Sequence, residues 1–222
     1  MKFWLTHNTL AGVGLKSNYY RPLLFFTFAL NYVISGIKPL GYHLFSNLVH
    51  VANGILVFLL VHQVFKKKLL AFLTSLIFLI HPLQTEAITY ISGRGDALVA
   101  MFMLLGLLFF YKSELTTSNV HRTFDVKVSA NGYRLFAIGF LALGLLSRET
   151  AIVFPFLALV VYVSSISQKR FVVSVKDGLI KTWPYFAVVL VYGILRLTVL
   201  NFQNTLNFYS EPNLYSENLY VR

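Results

Sequence analysis

The sequence contains no cysteine, so neither a disulfide frame nor a thiolate metal site is available to it. It is also poor in charge. Only 12% of its 222 residues are Asp, Glu, Lys or Arg, about half of the roughly 25% a soluble domain carries. That is too little to cover a water-facing surface, which excludes a soluble enzyme and a disordered tail. Acids are scarcer than bases, 8 against 19, for a net charge of +11, and no acid precedes Glu86. The chain has no HExxH pattern, no internal repeat and no low-complexity run. Residues 1–14 lack the basic flank, apolar stretch and small-residue site of a signal peptide. The excess of positive charge does not mark a nucleic-acid binder, because the basic residues sit in short loops between apolar runs and not along one solvated face.

What the chain does have is apolar length: 57% hydrophobic residues, 16% aromatic, and a mean hydropathy of +0.68. A spanning helix needs about 20 mostly apolar residues, since the hydrocarbon core is about 30 Å thick and each residue rises about 1.5 Å. Segments 41–65, 150–166 and 183–200 read as spans; 69–80 is short alone but reaches span length if the lysines before it snorkel, and 97–111 and 133–146 are similar, each bounded by charges. Segment 22–36 has 15 apolar-dominated residues, ends in Gly36 and contains Asn31, which suits an interfacial or re-entrant helix. The expected fold is an all-α integral membrane protein, a polytopic helical bundle of about six spans plus that one short helix. Its parts are an outer-face loop and interfacial helix (1–40), the transmembrane bundle (41–200) and an outer-face tail (201–222).

Lysine and arginine set the orientation. If 41–65 runs from outside to inside, the inner loops hold Lys66, Lys67, Lys68, Lys112, Arg122, Lys127, Arg134, Lys169, Arg170, Lys176 and Lys181. The outer loops between the same spans hold only Arg94 and Arg148. The loop 112–132 is polar, inward-facing and without an apolar period.

Charged groups in or against a membrane are costly and are functional candidates by default. His43, Asn47, His50 and Asn53 recur at helical offsets on one face of 41–65. They either line a hydrated cavity or hydrogen-bond to neighbouring helices. The two histidines are about 10.5 Å apart in rise, too far to share one metal ion unaided. His81-Pro82, Thr85-Glu86 and Gly93-Arg94-Gly95-Asp96 crowd one outer loop. There an arginine fork suits a phosphate and a carboxylate suits a base or a sugar hydroxyl; an ion pair stitching the loop is the plainer reading. Ser147-Arg148-Glu149 pins a cation and an anion at the same face, as a grip on a lipid phosphate or as interfacial anchors. Tyr19-Tyr20-Arg21-Pro22 reads singly as aromatic-belt residues with an arginine. Acids and arginines from separate segments share one face, which a purely structural bundle does not need.

Tyr20-Arg21-Pro22-Leu23, Gly41-Tyr42-His43-Leu44 with Asn47 and His50, His81-Pro82 with Thr85-Glu86, Gly93-Arg94-Gly95-Asp96 and Ser147-Arg148-Glu149-Thr150 occur in that order. The series resembles the membrane domain of the transmembrane and tetratricopeptide-repeat O-mannosyltransferases. These are GT-C-type glycosyltransferases similar to the protein O-mannosyltransferases. The resemblance implies a GT-C-like bundle that takes a sugar from a polyprenyl-phosphate donor. It passes that sugar with inversion to a hydroxyl acceptor, commonly Ser or Thr of a protein, on the outer or lumenal face. It further implies Glu86 and Asp96 as catalytic carboxylates and Arg94 and Arg148 as phosphate contacts. Arg21, His43, Asn47, His50, His81 and Glu149 would line the cavity. A divalent cation serves some relatives. The implied partners are membrane lipid, the lipid-linked donor and a protein acceptor, and no nucleic acid.

The family usually has Lys at the position of Arg148, and it carries an acidic pair on an outer loop that would precede Met1. The chain is therefore expected to be a fragment that does not catalyse alone. Competing classes are a transporter or lipid flippase, which calls for charges at mid-membrane depth and repeated or broken helices, and a non-catalytic remnant. The absence of cysteine and of any Asn-x-Ser/Thr sequon leans toward a bacterial inner membrane over the endoplasmic reticulum.

Overall fold

A computed structural model describes residues 20–119, 129–166 and 171–198. The expected loop before residue 20, the tail 201–222 and the inner-loop cations Arg122, Lys127, Lys169 and Arg170 lie outside the described residues. Within them the chain is helical throughout: α1 (Pro22–Ser35), α2 (Pro39–Phe65), α3 (Lys68–Ile80), α4 (Thr85–Thr89), α5 (Arg94–Asn119), α6 (Ala130–Ser147), α7 (Phe154–Val161) and α8 (Phe171–Leu197). Short 3-10 turns at Pro82–Gln84, Ile91–Gly93 and Glu149–Val153 join them, and a π-turn at Tyr162–Ile166 extends α7.

Proline starts α1 and α2, where the missing N–H costs nothing and the fixed φ is already helical. Gly36, at φ +59°, closes α1 in a left-handed conformation that suits glycine. Among the described residues, five helices are long and apolar enough to cross a membrane: Pro39–Phe65, Ile91–Thr117, Ala130–Ser147, Glu149–Ile166 and Phe171–Leu197. A sixth is reached if α3 and Pro82–Thr89, bent by 52° where Pro82 interrupts them, count as one span. At 14 residues, α1 rises about 21 Å, short of the hydrocarbon thickness.

Two expected boundaries move. The loop 112–132 gives way to helix as far as Asn119, because Tyr111, Ser113 and Glu114 are buried and continue the packed face of α5. The last helix starts at Phe171, twelve residues before the apolar run at Trp183, with Ser174, Gly178 and Thr182 packed inward. A Cβ on Gly178 would meet Leu159 Cδ1 at 2.6 Å and Tyr162 Cδ1 at 3.0 Å, so only a bare backbone fits between α8 and the α7 segment.

The main core lies between α5, α6, α7 and α8 and contains Val99, Leu107, Phe110, Leu141, Leu145, Phe154, Tyr162, Tyr185 and Tyr192. A smaller one, Leu24, Val49, Ala97 and Leu98, joins α1, α2 and α5. Leu44, Leu48, Val51, Ile55 and Leu59 form an exposed apolar stripe along α2, and α3 and α8 show similar faces. A water-soluble monomer does not carry such surfaces, whereas acyl chains cover them.

Candidate functional site

The Arg94 loop and the two chain segments packed on it define one end of the bundle. Arg94 is fully buried. Its Nη1 donates to Asn31 Oδ1 at 2.6 Å and to the Thr27 carbonyl at 3.5 Å, Nη2 to the Tyr42 carbonyl at 2.9 Å, and Nε to Ser46 Oγ at 3.3 Å. The guanidinium lies over the rings of Phe45 (4.6 Å), Phe28 (4.7 Å) and Tyr42 (5.6 Å). No carboxylate pairs with it among the described residues. Carbonyl dipoles, one amide oxygen and three π-faces hold this cation, an environment that offsets part of the desolvation cost of a buried charge.

The surrounding turn depends on the same groups. Asn31 Nδ2 donates to the Gly41 carbonyl at 3.2 Å, and Tyr42 Oη to the Gly36 carbonyl at 3.0 Å. Arg94 thereby ties the α1–α2 hairpin to the start of α5. The glycines beside it serve close packing. A Cβ on Gly93 would come within 2.8 Å of the Glu86 carbonyl oxygen, and one on Gly95 would touch Leu24 and the Ser147 carbonyl.

Two ion pairs lie at this end. Arg148 Nη1 donates to Asp96 Oδ2, with the two side chains 30% and 43% exposed. Arg21 Nη2 donates to Glu149 Oε2 at 3.3 Å, while Glu149 Oε1 is buried without a hydrogen-bond partner. Tyr20, next to Arg21 and outside the spanning helices, is buried, which pushes its phenol pKa above the ordinary value. Arg21, Arg94, Asp96, Arg148 and Glu149, from three distant stretches of sequence, are thus drawn into one neighbourhood.

An open cavity of about 560 Å³ is lined by Phe28, Tyr42, His43, Thr89, Tyr90, Ile91 and Ser92. A second, of about 310 Å³, is lined by Thr85, Glu86, Thr89 and Tyr90. They share Thr89 and Tyr90. His43 and Glu86 therefore face adjoining spaces, and Phe28 and Tyr42 separate the first cavity from the buried Arg94 cation. Arg94 itself lines neither.

The other expected positions fall elsewhere. His50 Nε2 is 3.1 Å from the Leu79 carbonyl and its ring stacks on Phe78; Asn53 Nδ2 donates to the Ala97 carbonyl at 2.8 Å. Asn47 is exposed on the outer side of α2. His81 is exposed and caps the 3-10 turn, accepting from Leu83 N at 3.2 Å. Among the described residues no three His, Asp or Glu side chains converge on a point that could hold a metal ion. The described residues by themselves do not form a divalent-cation site.

Sequence reading passed over one cluster altogether. Glu114, near the far end of α5, is 3% exposed and is held by Arg134 Nη2 at 2.7 Å and Lys181 Nζ at 3.4 Å. The sign was present in the spacing: Phe110 and Tyr111 lie three and four residues after Leu107, and Glu114 lies four and three residues after them, one continuous helical face.

Fold and site define a polytopic helical membrane protein with a charged, cavity-bearing end. Comparison with known proteins makes the class specific. The chain is 31% identical over 175 residues to protein O-mannosyl-transferase TMTC1 of Homo sapiens, covering 77% of this chain and 20% of that protein. It is 39% identical over 127 residues to TMTC2 of Mus musculus, 54% of this chain and 14% of that protein. To TMTC3 of Mus musculus it is 39% identical over 95 residues, 43% and 10%. The chain belongs to this transmembrane and tetratricopeptide-repeat O-mannosyltransferase group, and it spans a tenth to a fifth of the length of these relatives. No family profile and no solved structure matches it.

Proposed function

We propose that the chain is the donor-binding membrane portion of a glycosyltransferase that moves a sugar from a polyprenyl phosphate to a hydroxyl, of the Ser/Thr type on a protein. The face concerned is the outer one, periplasmic in a bacterial inner membrane or lumenal in the endoplasmic reticulum. The observation that carries this reading is the uncompensated Arg94 cation behind the Phe28–Tyr42 wall of the larger cavity. In a low-dielectric surrounding its field extends through that wall and favours an anion in the cavity. Apolar and aromatic walls suit the lipid and sugar faces, and His43, Thr89 and Ser92 supply hydrogen bonds.

In the reaction the bond between the anomeric carbon and the phosphate oxygen breaks, and the acceptor oxygen forms the new bond from the opposite side. The acceptor proton passes to a carboxylate, and the phosphate leaves with the electron pair. Glu86 is exposed at the neighbouring cavity and has no ion-pair partner among the described residues, so it is free to meet an acceptor hydroxyl. Asp96 is engaged by Arg148 and acts as its holder. Arg148, about a third exposed, is the cation able to turn from Asp96 to the phosphate as charge builds on it.

The test uses the complete protein, reconstituted with radiolabelled polyprenyl-phosphate mannose and a Ser/Thr peptide. Arg148→Ala is expected to lower transfer on the order of ten- to a hundred-fold, the worth of one hydrogen bond to a charged group. Unchanged turnover and unchanged donor affinity in Arg148→Ala would remove the phosphate assignment.

A further inference from the structure

The Glu114 cluster lies at the opposite end from the candidate site: Glu114 follows Arg94 by 20 residues of α5, about 30 Å of rise and so about one hydrocarbon thickness. It joins three helices, α5 through Glu114, α6 through Arg134 and α8 through Lys181. One cation would neutralise the carboxylate, yet two are present, and the cluster keeps a net charge of +1. The carboxylate is hidden at 3% exposure, whereas the Arg134 and Lys181 side chains are 32% and 31% exposed. Charge surplus and surface access therefore fall on the same two groups.

Donors are also left over. Arg134 spends Nη2 on Glu114 and Lys181 one of the three N–H donors of its Nζ, and Arg134 Nε is buried with no hydrogen-bond partner. Tyr185, 1% exposed and close enough to interact electrostatically with Arg134 and Glu114, likewise has a buried hydroxyl without a partner. A further cation, the exposed Lys112, lies over the Phe109 ring at 5.8 Å, two residues from Glu114. Depth is marked by Trp183, 62% exposed beside Lys181, at the level where indoles meet headgroups. Leu135 and Phe136 on α6 and Ile180 on α8 extend the surface with exposed apolar side chains.

We propose that Arg134 and Lys181, braced by Glu114, bind the phosphate of an anionic phospholipid in the leaflet that the lysine-rich loops face. Basic pockets between spanning helices on that side hold such headgroups, and the apolar flanks take the acyl chains. Glu114 is a positioning residue here. It fixes the two cations at a common edge and does not touch the lipid.

The full chain is reconstituted in nanodiscs of phosphatidylcholine, with or without phosphatidylglycerol, and lipid retained on the protein is counted after detergent exchange. Phosphatidylglycerol is expected to be enriched about five-fold per cation engaged. Glu114→Gln should retain that enrichment while lowering the thermal midpoint. The triple variant Glu114→Gln/Arg134→Gln/Lys181→Gln, which leaves no buried charge stranded, should lose it. Equal retention of both lipids by the wild type overturns the proposal, and so does undiminished enrichment in a folded triple variant. Should that variant fail to fold, the wild-type comparison still decides. Millimolar inorganic phosphate that displaces the lipid's stabilising effect in full would point to a free-anion site and overturn the lipid assignment.

Discussion

Arg94 and Arg148 look alike in sequence, each beside an acid in a short outer loop, but their surroundings assign them different work. Arg94 has no exposed surface and spends its donors on Asn31, Thr27, Tyr42 and Ser46. Arg94→Ala strands those four acceptors and opens a gap between three rings, so a loss of about 4 kcal/mol is expected, at about 1 kcal/mol per stranded acceptor. Arg94→Lys keeps the charge without the fork and should recover only part of it. The Arg148–Asp96 pair is partly exposed, and such pairs contribute less than about 1 kcal/mol. Thermal unfolding in detergent, run beside donor binding, separates the two. Arg94→Ala should lower the midpoint and donor affinity together, whereas Arg148→Ala should lower donor affinity with the midpoint nearly unmoved. A large midpoint drop in Arg148→Ala would show that the pair is structural. In sequence Arg94 reads as a fork for a phosphate in a loop between two glycines. What sequence alone does not reveal is that α1 and α4 occupy the space those glycines vacate.

At the scale of the helix, α2 shows how far periodicity carries. With His43 as origin, about 100° per residue places Asn53 near −80°, His50 near −20° and Asn47 near +40°. The structure orders them the same way, from Asn53 at 1% and His50 at 7% exposure, through the half-buried cavity-lining His43, to the exposed Asn47. The shared polar face was legible. Where the lipid boundary cuts it was not, since that depends on which neighbours pack there, α3 against His50 and α5 against Asn53. His50 and Asn53 make hydrogen bonds between helices, and His43 borders the larger cavity. The extension of α5 past Lys112 was missed for a related reason: a polar, charged stretch stays helical because Arg134 and Lys181 reach Glu114 from other helices. Asn53→Leu removes the α2–α5 bond to the Ala97 carbonyl. Interhelical hydrogen bonds in membranes average about 0.6 kcal/mol with a maximum near 1.7. A loss within that range is expected in reversible unfolding from micelles. A gain in stability on that substitution would mean the Asn53 bond does not hold α2 to α5.

For the whole molecule, the asymmetry between its ends governs both proposals. One end gathers Asp96, Glu149 and three arginines, with Glu86 lining an open cavity, and the other holds the buried Glu114 between Arg134 and Lys181. Under the two proposals the lysine bias turns the second end toward the cytoplasm, with the proposed donor on the outer face and the proposed headgroup on the inner one. Absence of cysteine makes this directly measurable, since every introduced thiol is unique. Ser92→Cys sits on an exposed position beside the larger cavity, and Lys67→Cys on the exposed turn between α2 and α3. A membrane-impermeant maleimide applied to intact cells should label Ser92→Cys at once and Lys67→Cys only after permeabilisation. The reverse pattern would invert the chain in the membrane. The sugar-transfer end would then face a compartment from which the proposed outer-face acceptor is absent, and the lipid site would face the opposite leaflet.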